Sequence, residues 1–205
     1  MNIMTIVYMD ECARGVFFGS VYAGAVIWPE NVPIEPPVSI KSWDSKRISA
    51  KKREVLFEYI TENCADWAIG IADSNEIDKH NILNATMTAF HRALDKLNCT
   101  FDEIYVDGSY FQPYLGKDDF IPHTCIVKGD AIHDEIGMAS IIAKVSHDKY
   151  ITDLCQEHPE LDEKYNLTKN MGYGTKKHID GILKHGFTEH HRKSFKIKQI
   201  PSTYY

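Results

Sequence analysis

The chain has 205 residues, of which 43% are hydrophobic and 25% are charged, a composition typical of a globular protein with a substantial core. No apolar stretch reaches the length of a transmembrane helix, and the N-terminus lacks the basic and apolar regions of a secretory signal. Five widely spread cysteines without a C-x-x-C pair argue against a disulfide framework or a zinc knuckle. They favour a reducing compartment, so we expect a cytoplasmic protein with no membrane contact.

The net charge of -6 is unevenly distributed along the chain. Between Lys169 and Lys198, eight lysines and arginines accompany only two acids, so this segment carries +6 and the remaining chain carries -12. A second basic cluster lies between Lys41 and Arg53. Such asymmetry is the electrostatic signature of nucleic-acid binding, although the second cluster alone fits a solvated helix face equally well.

Hydrophobic periodicity and turn residues predict strands that alternate with helices. In chain order we expect strands over residues 3–9 and 20–28, a proline-rich loop over 29–37, a helix over 50–63, a strand over 67–72, a helix over 75–97, strands over 104–106 and 124–127, and helices over 134–156 and 175–185. Because the sequence contains no internal repeat and no low-complexity linker, we expect one domain over residues 1–205.

The first two predicted helices have recognisable start signals. Ser49 and Asn75 are residue types that favour the N-cap position. The second helix also has an apolar stripe, expected to face the core, that consists of Leu83, Met87, Phe90, Leu94 and Leu97.

Acidic residues follow three of the predicted strands. Asp10 and Glu11 follow the first strand, Asp107 follows the fourth, and Asp130 follows the fifth. Each acid alone fits a solvated turn, but carboxylates at strand ends of one sheet are able to converge on one point. Oxygen-rich sites of this kind favour Mg²⁺ or Mn²⁺, and two such ions support phosphodiester hydrolysis.

The adjacent acids of the first strand raise a geometric condition. Neighbouring strand residues point to opposite faces of a sheet. Asp10 and Glu11 are therefore expected to share a site only if the strand ends or bulges between them. Arg14 and Gly15, which follow closely, make such a break plausible.

Seven ordered blocks extend over most of the chain. They are Asp10-Glu11-Cys12-Ala13-Arg14-Gly15, Asp44-Ser45-Lys46, Val106-Asp107-Gly108, Lys128-Gly129-Asp130, the run from Ala139 to Asp148, the run from Gly172 to His178, and the run from His191 to Phe195. In the one-letter code of the family pattern they correspond to D-E-A-G-R-G, D-S-K, V-D-G, K-G-D, A-S-I-x-A-K-V-x-x-D, G-Y-x-T-x-x-H and H-R-x-S-F. This order resembles the ribonuclease HII family from about residue 3 to residue 198.

The resemblance implies an α/β ribonuclease H-like fold, with a mixed five-stranded central sheet flanked by helices. It also implies that a basic helical segment over about residues 160–200 completes the substrate groove. The implied activity is that of a metal-dependent endoribonuclease, which hydrolyses the RNA strand of RNA–DNA hybrids. The family also incises duplex DNA on the 5′ side of an embedded ribonucleotide and leaves a 3′-hydroxyl and a 5′-phosphate.

By motif, the resemblance assigns residues to two roles. The implied catalytic and metal-binding residues, for two Mg²⁺ or Mn²⁺ ions, are Asp10, Glu11, Asp107 and Asp130. The implied substrate-binding residues are Ala13, Arg14, Gly15, Lys46, Lys144, Tyr173, Arg192 and Ser194. Recognition of a 2′-hydroxyl distinguishes RNA from DNA at one position, whereas phosphate contacts supply affinity without that discrimination.

Several of these positions also have a purely structural interpretation. Lys46 fits a surface lysine after a loop, and Tyr173 fits a buried loop anchor. Lys144 is four residues before Asp148 and fits a helix-surface pair. Arg192, in the basic tail, has two alternatives, which are contact with a phosphate or with a core carboxylate.

The chain departs from the family pattern at three places. Ala13 stands where the family has glycine, which is unfavourable if the position requires a positive φ or close approach of the ribose. The segment 16–18 is Val-Phe-Phe, where the family usually has small residues or proline, and His147 stands where arginine is expected. These departures predict that hydrolysis is retained while cleavage at a single-ribonucleotide junction is weaker or less selective.

Two other functions remain open at this stage. One is a different nuclease of the ribonuclease H fold, such as a DNA resolvase, which would not depend on a 2′-hydroxyl. The other is a hybrid-binding module without turnover, against which the four intact acids argue. We expect a monomer that binds RNA–DNA hybrids and ribonucleotide-containing duplex DNA. Replication proteins are candidate partners that the sequence itself does not identify.

Overall fold

The computed structural model describes residues 4–204, and its centre is a mixed five-stranded sheet. The strands of this sheet are β1 (Ile6–Cys12), β2 (Val21–Ile27), β3 (Asp66–Ala72), β4 (Glu103–Asp107) and β7 (His123–Ile126). Their spatial order is β3-β2-β1-β4-β7. β1, β2 and β3 pair antiparallel, whereas β1, β4 and β7 pair parallel. A separate hairpin, β5 (Tyr114–Leu115) and β6 (Phe120–Ile121), lies between β4 and β7 in the chain.

Helices cover both faces of the sheet. In chain order they are α1 (Ala50–Asn63), α2 (Ser74–Leu94), α3 (Asp134–Glu157), α4 (Pro159–Tyr165), α5 (Leu167–Asn170) and α6 (Lys176–His185). Val7 and Met9 of β1 belong to the core cluster on the α2 face, whereas Val26 of β2 packs with α1 and α3 on the other face. This is the two-face alternation of a strand buried on both sides.

Helix α3 lies unusually close to the sheet beside β1. Gly24 of β2 pairs with Asp10 of β1, and a Cβ at Gly24 would lie only 2.2 Å from the carbonyl oxygen of Ala139 in α3. Glycine is therefore required at this contact because any side chain would push the helix away from the sheet. The close approach places Ser140, the next residue of α3, over Asp10.

A third core cluster joins the C-terminal helices to the segment that follows β1. Phe18, Tyr165 and Ile182 are buried in it, together with Ile197 from the tail. The chain after α3 therefore packs as a layer against residues 16–19 and does not extend away from the sheet.

Most predicted elements are confirmed, and the differences have local causes. The helix predicted over residues 50–63 is α1, and Ser49 occupies its N-cap position without a side-chain hydrogen bond to the helix. The first strand is shifted, since β1 runs from Ile6 to Cys12, and residue 3 lies outside the described residues. The last strand ends at Ile126 because Lys128 adopts a left-handed conformation with φ of 59°.

Helix α2 differs most from its prediction. Its N-cap is Asp73, not Asn75, because Asp73 and Glu76 form a capping box in which each side chain accepts a hydrogen bond from the other residue's backbone N–H. Asn81 has a φ of 67° and interrupts the helix, so the predicted stripe is broken. Leu83 is consequently 41% exposed, while Met87, Phe90 and Leu94 are buried. The short elements β5, β6, α4 and α5 were not predicted, because two to seven residues are too few to show a period.

Within residues 4–204, no helix is both long enough and apolar enough to cross a membrane.

Candidate active site

Two parallel neighbouring strands bring the first carboxylates together. Met9 of β1 is in register with Val106 of β4, so Asp10 and Asp107 follow at the same level of the sheet. Asp130 lies in a short 3₁₀ turn, Gly129–Ala131, just after the neighbouring strand β7. Because parallel strands have their carboxyl ends at one edge, these three acids lie along the same edge.

Asp10 is the most buried of the acids, with 8% of its surface exposed. Burial raises its pKa well above the usual range, and the negative charges of Glu11 and Asp107 raise it further. A hydrogen bond from the Ser140 hydroxyl and one from the backbone N–H of Glu11, at 2.7 Å, act in the opposite direction. The carboxylate is therefore well oriented, but the protein does not neutralise its charge.

Asp107 continues the electrostatic chain towards Asp130. Its pKa is raised mainly by burial and additionally by the charge of Asp130. The backbone N–H of Gly129 donates to its Oδ1 at 2.6 Å, and the positive charge of Lys46 also lowers its pKa. The charge of Lys46 therefore acts on the acidic edge, and its contact with a substrate phosphate stays a prediction.

Glu11 does not meet the condition derived from the sequence. β1 continues in regular register through both acids, with Asp10 opposite Gly24 and Glu11 opposite Ala23, so no bulge separates them. The Glu11 side chain therefore leaves the strand on the opposite face from Asp10, and it accepts a hydrogen bond from Arg14 Nη1 at 3.1 Å.

The backbone of Glu11 still faces the acidic edge. The carbonyl oxygen of Thr5 points towards β4 and accepts hydrogen bonds from the backbone N–H groups of Asp102 and Glu103. Alternate residues of a strand direct their backbone polar groups to the same side. Glu11 is in phase with Thr5 and lies beyond Met9, the last β1 residue that pairs with β4. The carbonyl oxygen of Glu11 is therefore directed to the β4 side near Asp107. The negative charge of the Glu11 side chain acts on Asp10.

The acidic edge suits a hard cation by the chemistry of its donors. Among residues 4–204, no three His, Cys, Asp or Glu side chains are close enough to make a ready-formed metal-ligand set. Burial and the charges of Glu11 and Asp107 nevertheless raise the pKa of Asp10, and a divalent cation between carboxylate oxygens would relieve this cost. Oxygen donors of this type fit Mg²⁺ or Mn²⁺.

Sequence reasoning missed two serines that support Asp10. Ser140 lies in the block from Ala139 to Asp148 and was assigned no role in the site, yet its hydroxyl donates to Asp10. Ser45, from the Asp-Ser-Lys block, lies 2.9 Å from the Ser140 hydroxyl, and both serines are buried. The signal was present because both serines stand inside sequence blocks, but only the fold shows that the blocks meet.

The segment after β1 adopts the backbone conformation that the sequence analysis questioned. Ala13 is buried and has a φ of 65°, which costs an L-residue with a side chain about 1–2 kcal/mol. Gly15 is exposed, and a Cβ there would have no neighbour within 4 Å. Position 13 thus requires the positive φ that glycine adopts freely, whereas position 15 presents bare backbone to solvent.

The bulky residues at 16–18 have a structural role. Val16 and Phe18 are fully buried, and the backbone N–H of Phe17 donates to Gly172 O at 2.8 Å. A Cβ at Gly174 would lie 2.1 Å from the Phe17 ring, so the ring occupies the space left by this glycine. Phe17 therefore fixes the short segment that presents Tyr173.

Tyr173 and Lys144 lie next to each other at the surface. Tyr173 is 42% exposed, so it is not a buried anchor, and Lys144 Nζ lies 5.8 Å from the centre of its ring. Lys144 also binds Asp148 at 2.7 Å, so the helix-surface pair exists together with the aromatic contact.

The structure does not bring Arg192 and Ser194 to the acidic edge. Arg192 is fully buried and donates to the carbonyl oxygens of Gly19 and Arg14, at 2.8 and 2.9 Å. Neither of its two expected partners, a phosphate or a core carboxylate, is what it binds within residues 4–204. The Ser194 hydroxyl donates to Asp78 Oδ1 at 2.6 Å and anchors the tail to α2. A sequence pattern does not indicate burial in an irregular tail.

Comparisons with known proteins agree with this arrangement. A family model for ribonuclease HII matches residues 8–198. The ribonuclease HII of Parabacteroides distasonis is 42% identical over 188 residues, which cover 92% of this chain and 88% of that protein. The structure of ribonuclease H2 from Pyrococcus horikoshii superposes with a TM-score of 0.75 at 25% identity and covers 94% of each chain. Bst-RNase HIII in complex with Mn²⁺ shares the fold at a TM-score of 0.59 and 18% identity, covering 89% of this chain and 63% of that one.

Substitution of Asp10 by asparagine should stabilise the metal-free protein at neutral pH. Because the folded state raises the pKa of Asp10, it binds more protons than the unfolded chain, and stability falls as the pH rises above the unfolded value of about 4. The amide does not ionise, so Asp10→Asn should raise the free energy of unfolding at neutral pH by about 1–3 kcal/mol, the cost of an uncompensated buried group.

Urea unfolding in a chelating buffer between about pH 4 and neutrality measures this difference, which should shrink as the pH falls. The matched control is Asp118→Asn, which changes an exposed carboxylate of the β5–β6 hairpin and should alter stability by less than about 0.5 kcal/mol. An Asp10→Asn protein that is less stable than wild type at neutral pH would contradict the electrostatic description of the edge.

Proposed function

This chain belongs to the ribonuclease HII family, and we propose that Asp10, Asp107 and Asp130 form the metal centre at which it hydrolyses nucleic acid. The chain is a divalent-metal-dependent endoribonuclease that acts on RNA–DNA hybrids. The proposal concerns where the reaction takes place and how the substrate is selected. Its main support is that neighbouring parallel strands place Asp10 and Asp107 at the same level of one sheet edge, where burial and nearby acids raise the pKa of Asp10.

The acidic edge is proposed to hold two divalent cations. Asp10, Asp107, Asp130 and the carbonyl oxygen of Glu11 would hold these ions. When bound, the two ions supply activation of the attacking water and stabilisation of the leaving oxygen, which yields a 3′-hydroxyl and a 5′-phosphate. Mg²⁺ and Mn²⁺ are the proposed ions, and Mn²⁺ is the ion present in the Bst-RNase HIII structure.

The protein groups around the ions orient and neutralise charge. Ser140, itself bonded to Ser45, is proposed to orient the carboxylate of Asp10 for cation binding. Lys46 contributes a positive charge beside Asp107 and is proposed to contact the scissile phosphate. Both contributions are preorganised because they exist before the substrate arrives.

Recognition of the ribonucleotide is proposed to come from residues 13–19, here named the recognition segment, together with Tyr173. Arg14 and Gly15 lie directly after the strand that carries Asp10, and the backbone at Gly15 is open to close approach. Tyr173, exposed between two glycines, is proposed to stack on the sugar or base next to the cut, with Lys144 at its ring. A 2′-hydroxyl read here would place incision on the 5′ side of a ribonucleotide embedded in DNA.

The basic surfaces are proposed to supply affinity without discrimination. The segment between Lys169 and Lys198, apart from the buried Arg192, and the cluster between Lys41 and Arg53 concentrate positive charge on an otherwise acidic chain. The proposed acids, serines and recognition groups all come from one chain, which supports function as a monomer.

The positive φ of Ala13 favours a second, less selective variant of this function. Ala13 is buried and holds the loop at a strained positive φ, where glycine would let the loop adjust. An enzyme with this residue is proposed to cut hybrids normally and single-ribonucleotide junctions less well.

Labelled duplexes with one ribonucleotide, with a ribonucleotide run, or with none test the proposed function with Mg²⁺ and with Mn²⁺. We expect cleavage of the first two and none of the third. Asp107→Asn should reduce both rates by at least about a hundredfold, because it removes one charged ligand from the metal centre. Asp118→Asn is the matched control and should cut at the wild-type rate. Cleavage of the all-DNA duplex, or full activity of Asp107→Asn, would overturn the proposal.

Ala13→Gly should raise the ratio of junction cleavage to hybrid cleavage. Glycine adopts the positive φ of position 13 without strain and removes the methyl group from the recognition segment. Single-turnover rates on the two substrates give the ratio, for which we expect a rise of about threefold to tenfold. Asn166→Gly relieves a φ of 55° between α4 and α5 and should leave the ratio unchanged. A ratio that is the same in Ala13→Gly and in wild type would rule out this role for position 13.

A further inference from the structure

We infer that Arg192 is a positioning residue for ribonucleotide recognition, which holds the Arg14–Gly15 peptide in place from inside the protein, with His147 as a second buried partner. This inference rests on the proposed function, since it assigns a cause to the selectivity of the same recognition segment. It replaces substrate contact, the role that the sequence pattern implied for Arg192, with an action through the backbone.

Arg192 binds three backbone carbonyl oxygens of the recognition segment. Its Nε donates to Gly19 O at 2.8 Å, its Nη1 donates to Arg14 O at 2.9 Å, and its own backbone N–H donates to Phe17 O at 2.9 Å. The side chain is fully buried, so no nucleic acid reaches it. A planar guanidinium fits two carbonyl oxygens at fixed angles, whereas a lysine ammonium does not.

The bond to Arg14 O determines the direction of the Gly15 N–H. In a trans peptide the C=O and the N–H of one plane point in opposite directions, and the described chain contains no cis peptide bond. Because Arg14 O points inward to Arg192, Gly15 N–H points outward. Gly15 is exposed, and its N–H has no hydrogen-bond partner within residues 4–204. It is thus a free donor, aimed by Arg192 at the side from which a ribose approaches.

The same segment is held from its other side. Phe17 N–H donates to Gly172 O at 2.8 Å, and Gly19 N–H donates to His190 O at 2.8 Å. Residues 14–19 therefore lie between the Gly172–Gly174 turn and the tail that carries Arg192. Arg192 and the turn of Tyr173 act on one short stretch of backbone, so displacement of either should disturb both recognition groups.

His147 offers the acceptor that Arg192 lacks. Among the buried side-chain atoms of residues 4–204, only Arg192 Nη2 and His147 Nε2 have no hydrogen-bond partner. The Nδ1 of His147 lies 3.0 Å from the Asp148 carboxylate, which only accepts, so Nδ1 carries the proton and Nε2 is an acceptor. Burial lowers the pKa of His147, and the charges of Lys144 and Arg192 lower it further against the opposing effect of Asp148, so the ring is neutral. We infer that one water molecule bridges Arg192 Nη2 and His147 Nε2, which would satisfy both atoms.

Asp148 connects His147 with Lys144, the lysine beside Tyr173. Asp148 binds His147 at 3.0 Å and Lys144 at 2.7 Å, and Lys144 lies against the Tyr173 ring. Arg53 also pairs with Asp148 at 3.3 Å. With the inferred bridge between Arg192 and His147, a set of buried and partly buried polar groups would connect the carbonyl of Arg14 with the lysine beside Tyr173. None of these contacts involves Asp10, Asp107 or Asp130, so the set is placed to affect selectivity more than the hydrolytic step.

Arg192→Lys tests the inference because it keeps the charge and loses the guanidinium geometry. We expect the ratio of single-ribonucleotide cleavage to hybrid cleavage, measured as single-turnover rates, to fall about tenfold or more, since a hydrogen bond to a charged donor is lost at the segment. Arg92→Lys is the matched control. Arg92 also donates to a backbone carbonyl, that of Ile71 at 2.7 Å, but on the α2 side of the molecule, and its substitution should leave the ratio unchanged. Circular dichroism and urea unfolding establish that each variant is folded.

His147→Phe provides a second test that keeps an aromatic ring against Tyr22 and removes only the polar atoms. It should lower the same ratio in the same direction by a smaller factor. If both Arg192→Lys and His147→Phe are folded and lose both activities in equal proportion, or lose neither, the inference is overturned. If Arg192→Lys does not fold, the test is the ratio of junction cleavage to hybrid cleavage in His147→Phe. An unchanged ratio in that variant also overturns the inference. Failure of the wild-type protein to cut the single-ribonucleotide duplex would instead overturn the proposed function.

Discussion

The arrangement of this protein depends on the repulsion between carboxylates that two parallel strands bring to one edge of the sheet. Asp10 is buried next to the charges of Glu11 and Asp107, and the polar groups around it only orient the carboxylate without neutralising it. If stability alone mattered, a neutral residue in place of one of these acids would remove this electrostatic cost. The cost is explained if a divalent cation compensates it in the active enzyme. The acidic edge is thus less stable than it would be without function, and the surrounding packing has to hold it in place.

The packing that holds the edge comes from helix α3 and the block around Ser45. Gly24 allows α3 to approach the sheet to van der Waals contact, and Gly137 allows the backbone of Trp43 to approach α3 in the same way, at 3.0 Å from a Cβ built there. These two close contacts bring Ser140 and Ser45 together over Asp10. The recognition segment, residues 13–19, is held separately by the C-terminal layer through Arg192 and Gly172. The proposed sites of hydrolysis and of ribonucleotide selection are therefore supported by different parts of the core, so under this proposal one can change while the other is retained.

Sequence reasoning was most successful where a local pattern determines the outcome. The helix over residues 50–63 and the position of acids after β4 and β7 followed from periodicity and strand ends. The family blocks correctly identified the ribonuclease H-like sheet. Reasoning from the sequence failed where the outcome depends on tertiary contacts. The regular course of β1 through Asp10 and Glu11, the kink at Asn81 and the burial of Arg192 all depend on neighbours distant in the chain. The positive φ of Ala13 was predictable only in part. The glycine of the family pattern suggested it, and the backbone of the structure establishes it.

The central claim is that the acids at this edge form a metal centre, and binding of Mn²⁺ to the metal-free protein without nucleic acid tests it most directly. Calorimetric titration, with electron paramagnetic resonance to count bound Mn²⁺, separates metal binding from substrate binding and turnover. The account predicts saturable binding by the wild type and by Asp118→Asn, and an affinity lower by about tenfold or more in Asp107→Asn, because each carboxylate ligand contributes charge to the site. Equal Mn²⁺ affinity in Asp107→Asn and in the wild type would contradict it.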